Sequence, residues 1–91
     1  MNLLVVQPAY GRRYTSPEIA KQDFLNGRDF ATRSGPTYVS IREFLRNIPE
    51  LSAYDGIHIV QVVPLFMSIV ILRKHMKEPQ PTNETSRRIV E

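Results

Sequence analysis

The feature that most constrains this chain is the stretch from residue 57 to 73. There Ile57, Ile59, Val60, Val62, Val63, Ile69, Val70 and Ile71 crowd branched side chains on either side of Pro64. Such side chains lose rotamer freedom in a helix and sit well on a pleated surface. Proline has no N–H to give to a helix and pre-sets the backbone for a reversal. The pattern therefore predicts two strands, residues 57–63 and 66–73, paired as an antiparallel hairpin, in preference to one buried helix. A helix over 57–72 would also reach only about 24 Å at the usual rise, against about 30 Å of hydrocarbon. His58, Gln61, Pro64 and Ser68 interrupt it besides, so no membrane partner is expected. The corner Pro64-Leu65-Phe66-Met67 is unusual because it puts large apolar residues where a turn normally carries polar ones. Leu65 and Phe66 are candidate contacts: the chain's own helices cover them, or a second copy does, in a homodimer built through the C-terminal hairpin.

Upstream, Leu3-Leu4-Val5-Val6 followed by Pro8 reads as a first strand ending near Gln7. Thr15-Ser16-Pro17-Glu18 is a helix start, with a hydroxyl for free amides, proline in the first turn and an acid at the positive dipole end. Asn26-Gly27 stops that helix, and Ile19, Ala20, Phe24 and Leu25 give it a broad apolar face. Residues 28–33 and 37–39 flank Ser34-Gly35-Pro36 and form a short hairpin. Ser40-Ile41-Arg42-Glu43 matches a capping box. Ile41, Phe44, Leu45 and Ile48 then share one face of a second helix, which Pro49 ends. From Lys77 onward the sequence is polar and proline-bearing, with little apolar area to offset ordering. The expected architecture is α+β: one domain over residues 1–76 in the order βαββαββ, a small antiparallel sheet with two helices on one face, and a disordered C-terminal tail over 77–91.

Composition narrows the chemistry. The 91 residues include no cysteine, which removes disulfides, thiol catalysis and iron–sulfur clusters and suits a reducing compartment. The two histidines, His58 and His75, and the nine acids show no ligand or catalytic spacing, so neither a metal nor a cofactor is expected. No glycine-rich phosphate loop or nucleophile elbow is present, and the chain reads as a non-enzyme. A net charge of +3 favours acidic partners modestly and argues against mimicry of DNA, which needs dense negative charge. The start of the sequence lacks the basic region and small-residue cleavage site of a secretory signal.

Pro8-Ala9-Tyr10-Gly11-Arg12-Arg13-Tyr14-Thr15-Ser16, then Gly27-Arg28-Asp29-Phe30, then Tyr38-Val39-Ser40-Ile41-Arg42-Glu43-Phe44, resembles a pattern in small uncharacterised proteins of tailed bacteriophages. The resemblance covers roughly the first half. This chain departs from it at Arg13, where an acid is common, and in a longer second helix and tail. The resemblance implies a phage-type context in the host cytoplasm and assigns no catalytic residue.

Tyr10, Arg12, Arg13 and Tyr14 interleave rings with guanidinium groups, the arrangement by which single-stranded nucleic acid is held through stacking and phosphate contact. The structural alternative is a tight turn at Gly11, tyrosines anchoring the loop, and arginines solvated or paired with Asp23 or Asp29. Arg42 and Arg46, four apart on the second helix, would share its outer face and enlarge a basic patch. Absent catalytic groups, an apolar hairpin corner and the phage-like pattern make an accessory protein that engages and modulates a host bacterial protein the leading expectation. A single-strand nucleic-acid binder using the loop is the first alternative, and a small structural virion component the second.

Overall fold

In the computed structural model, which describes residues 1–35, 37–61 and 66–79, the branched N-terminal run becomes strand β1 (Leu3–Pro8). Helix α1 (Pro17–Leu25) follows, with Pro17 in its first turn and Glu18 near its N-terminus. A hairpin of β2 (Phe30–Thr32) and β3 (Tyr38–Val39) comes next, and then two short helices, α2 (Ile41–Leu45) and α3 (Pro49–Ser52). Strands β4 (Gly56–Gln61) and β5 (Met67–Leu72) end in a 3₁₀ turn at Arg73–His75. The strands form one sheet in the order β3-β2-β1-β4-β5.

The α+β class and the antiparallel β4–β5 pairing match the sequence reading, with Ile57 opposite Ile71 and Ile59 opposite Ile69. Four details differ. The sheet is mixed, because β1 and β4 run parallel, Leu4 opposite Ile57 and Val6 opposite Ile59. A third helix adds itself to the βαββαββ order, because Pro49 ends one helix and opens another at its first turn. The second helix therefore stops at Leu45, and Ile48 caps α3 instead of continuing the α2 stripe. Ile19, counted on the apolar face of α1, is 53% exposed, while Ala20 and Phe24 are buried. The Ser34-Gly35-Pro36 turn falls partly, the Pro64-Leu65 corner and the tail from residue 80 wholly, outside the described residues. Among the described residues no helix is long and apolar enough to cross a membrane.

One apolar cluster holds the elements together. Val6, Phe30, Val39, Ile57, Ile59, Met67 and Ile71 contribute from the strands, Ala20, Phe24, Ile41 and Phe44 from the helices, and Met76 from beyond β5. The strand members are alternate residues and fall on one face of the sheet by register. The intervening residues, Leu3, Val5, Ala31, Tyr38, His58, Val60, Ser68, Val70 and Leu72, point the other way.

Helices of five and four residues are too short to hold themselves, since nucleating a helix costs more than so few bonds return. Arg73 secures both. Its guanidinium donates to Phe44 O at 2.7 Å, to Leu51 O at 2.5 Å and to Tyr54 O at 3.0 Å, and lies 4.0 Å from the Phe44 ring centroid. Phe44 and Leu51 stand in the last turns of α2 and α3, whose carbonyls lack helical partners and attract a cation. At the neighbouring end of β1, Asn2 N–H donates to Asp55 Oδ2 at 2.8 Å and Asp55 N–H to Asn2 O at 2.6 Å, which fixes the β1–β4 register.

Two stability predictions follow from these contacts. A Cβ on Gly56 would lie 2.5 Å from Ile71 O and 3.0 Å from Leu72 Cα, both backbone atoms that cannot turn aside. Gly56→Ala should cost about 2–3 kcal/mol in denaturant unfolding, whereas Gly35→Ala, with no atom within 4 Å of the added group, should be near neutral. Arg73→Lys keeps the charge but not the fork. Its expected cost is about 2 kcal/mol, and an unchanged midpoint would show that the three carbonyls do not depend on it.

Candidate functional site

Beyond β1 the chain turns sharply. Arg12 N–H donates to Ala9 O at 3.1 Å, and the two residues between have positive φ, 58° at Tyr10 and 69° at Gly11. This is the backbone of a type I′ turn. Gly11 adopts it freely, but a tyrosine at positive φ is strained by about 1–2 kcal/mol. What offsets that strain lies around the ring. Tyr10 stacks on Tyr38 with centroids 5.0 Å apart and planes 15° from parallel, and its hydroxyl reaches Asp29 Oδ2 at 3.4 Å. Tyr10 is nonetheless 74% and Tyr38 44% exposed, so the pair presents an aromatic surface at the β3 edge of the sheet.

Tyr14 has the opposite fate and is 4% exposed. The Gln61 side chain clamps its backbone, accepting from Tyr14 N–H at 2.7 Å and donating to Tyr14 O at 2.8 Å. In this way a glutamine amide at the end of β4 imitates one more rung of the sheet. The Tyr14 ring stacks on Phe30, with centroids 6.0 Å apart, and its hydroxyl donates to Asp23 Oδ2 at 2.6 Å. Asp23 also meets Arg12 Nε at 3.4 Å and Arg28 Nε at 3.3 Å. One carboxylate on α1 thus gathers two guanidinium groups and a phenol. Burial, then the bond to Asp23 and its charge, push the Tyr14 phenol up to about 12, against a partial pull downward from Arg12 and Arg28.

Of the residues singled out from sequence, the structure joins Arg12 and Tyr14 through Asp23 and sets Tyr10 beside Tyr38, leaving Arg13 exposed. Arg42 lies exposed on α2, but Arg46 is the residue at which the helix ends, with ψ 155°. The two do not share a helical face as their spacing suggested. Among the described residues no ion pair or hydrogen bond ties either to the loop. Phe66 is 70% exposed; Leu65 lies outside the described residues.

Sequence reasoning passed over two residues. Tyr38 was visible as the strand position preceding buried Val39, and strict alternation would have sent it to the other face. Ser68 was paired with nothing, yet its Oγ hydrogen-bonds His58 Nε2 across β4 and β5, a diagonal contact that only the register supplies.

A cavity of about 520 Å³ lies near the start of β1 between Met1, Asp55, Leu72, Arg73 and Lys74, and Arg73 is already engaged with carbonyls. A second, of about 420 Å³, opens beside Asp23, Asn26, Gly27 and Arg28. Among the described residues no three acids or histidines are grouped to hold a metal ion. Compared with protein-family models, curated proteins and solved structures, the chain matches none.

The phenol supplies a pH test. Below pH 10 Tyr14 is protonated in both the folded and the unfolded chain, and its contribution is constant. Between 10 and about 12 the unfolded chain loses that proton while the folded one keeps it, so stability falls as pH rises. Tyr14→Phe should cost about 1–2 kcal/mol at neutral pH through the lost bond to Asp23, and the gap between variant and parent should narrow above pH 10. A constant gap up to pH 12 would contradict the raised value.

Proposed function

We propose that this protein is a non-enzymatic accessory protein of the phage type, acting in the host cytoplasm by binding a host protein and modulating it. The observation that carries the reading is the second face of the sheet. The buried residues of α1 and α2 belong to the same apolar cluster as Val6, Ile57 and Ile59, which supports a reading in which both helices cover that face. Leu3, Val5, Leu72 and exposed Val70 then belong to a face that carries no described helix, where Val60 between them is already covered. That face continues past Tyr38 to the stacked Tyr10, and it offers a partner an apolar, aromatic-edged platform of the kind that anchors protein interfaces. The positive φ of Tyr10 supports it, since backbone strain of this kind clusters at functional sites such as ligand clamps.

Phosphate-directed charge is weak at the same place. Asp23 neutralises part of Arg12 and Arg28, and Tyr14 is buried, so half of the four-residue nucleic-acid motif is committed to the fold. The exposed Tyr10–Tyr38 stack, with Arg13 exposed in the same loop, still favours single-stranded nucleic acid as a second reading.

Immobilised full-length chain should retain a stoichiometric protein from nuclease-treated bacterial lysate at moderate salt. Tyr10→Asn, which tolerates positive φ, and Tyr38→Ser should lose it while unfolding as the parent does. Recovery of nucleic acid alone, with affinity falling steeply in salt and abolished by Arg13→Ala, would decide for the second reading.

A further inference from the structure

The two edges of the sheet are guarded unequally. Edge strand β3 has two residues, too few to template another chain. Edge strand β5 has six, Met-Ser-Ile-Val-Ile-Leu, paired to β4 at every position without a bulge. It carries no lysine, proline or other charge of the kind that normally protects an edge.

Which of its backbone groups are free follows from two separate bonds. Arg33 N–H donates to Val5 O at 3.1 Å, so Val5 faces β2 and its neighbours Leu4 and Val6 face β4. By the β1–β4 register, Ile57, Ile59 and Gln61 then face β5. Independently, Arg73 N–H donates to Asp55 O at 2.7 Å, which puts the odd-numbered residues of β5 on the β4 side. Both routes leave the N–H and C=O groups of Ser68, Val70 and Leu72 pointing outward, and among the described residues no strand lies there to meet them.

We propose that this edge pairs with β5 of a second copy, antiparallel and centred on Val70, to make a two-fold dimer with one continuous ten-stranded sheet. The inference stands independently of the proposed host partner. Faces match only if the two-fold axis is normal to the sheet, and that axis makes the strands antiparallel with same-face residues opposed. Centring on Val70 sets it against its own copy and Ser68 against Leu72, so that all the outward groups are bonded. On the other face Ile69 opposes Ile71. Val70, 47% exposed, and Ile69, partly buried, gain apolar cover.

Charge selects the same arrangement. The basic turn Arg73–His75 follows β5 directly, and a parallel pairing would put two of these turns side by side. The antiparallel one holds the Arg73 residues about 20 Å apart by strand rise, twice the screening length at ordinary salt. A seam of this length falls below the usual size of a tight interface, so the dimer is a concentration-dependent one.

The full-length chain should rise in light scattering from 10.5 kDa toward twice that mass along a concentration series. Val70→Lys and Val70→Glu each set like charges opposite one another and should weaken the dimer at least about tenfold, while an equimolar mixture of the two should restore it. Because the chain has no native cysteine, oxidation of Val70→Cys should give a covalent dimer. Ser68→Cys alone should not, and Ser68→Cys with Leu72→Cys should. A mass that stays monomeric throughout, a dimer indifferent to both charges, or equal cross-linking by Ser68→Cys and Val70→Cys would overturn the proposal. Were a charged variant to unfold, the cysteine comparison alone would decide it.

Discussion

The parallel pairing of β1 with β4 is the contact through which everything else is placed. Residues on β1 and their partners on β4 are separated by about fifty positions in the chain, so joining them closes a long loop at an entropic cost that grows slowly with its length. That closure encloses α1, the β2–β3 hairpin and both short helices. It also brings Gln61 to the backbone of Tyr14, while the β4–β5 pairing carries Arg73 to the ends of α2 and α3. Asn2 with Asp55 sets the register of the two strands at one end. Gly56 permits it at the same end by leaving the β5 backbone room to approach.

The parts of this arrangement that a sequence shows are those that depend on neighbours along the chain. Branched residues around Pro64 indicated the β4–β5 hairpin, Ser16-Pro17-Glu18 the start of α1, and the Ser40 cap the start of α2, where its side chain does accept from Glu43 N–H. The direction of β1 relative to β4 is set by what lies between them, and no local pattern encodes it. Pro49 was legible as a helix end and equally suited to a helix start, a choice settled by whether α3 finds partners for its carbonyls in Arg73. The loop at Tyr10 was legible as a tight turn, but the partition of its tyrosines, one outward onto Tyr38 and one inward onto Phe30, depends on Asp23 and Gln61 from distant elements. The spacing of Arg42 and Arg46 misled because it assumed a helix that ends one residue too soon.

Asp23 carries more of the electrostatics than its single charge suggests. Without it, Arg12 and Arg28 would repel across the same small surface, and the Tyr14 hydroxyl would lack its acceptor. With it, one carboxylate stabilises both cations and adds to the burial that pushes the phenol up to about 12. The basic excess of the sequence is therefore partly consumed inside the fold, and net charge alone overstates how much of it is offered to a partner.

The same accounting applies to the aromatic residues and leads to a different result. Among the described aromatic residues Tyr10 and Phe66 are mainly in water, and Tyr10 is the one whose backbone sits where glycine or asparagine would be more at ease. A ring placed there for packing alone would be expected to bury itself, as Tyr14 does four residues later. Tyr10 instead leans on Tyr38, which is itself half exposed, so the pair shields little apolar area in return for the strain. Stability gives a weak reason for that choice, and the proposed presentation of the two rings to a partner gives a direct one.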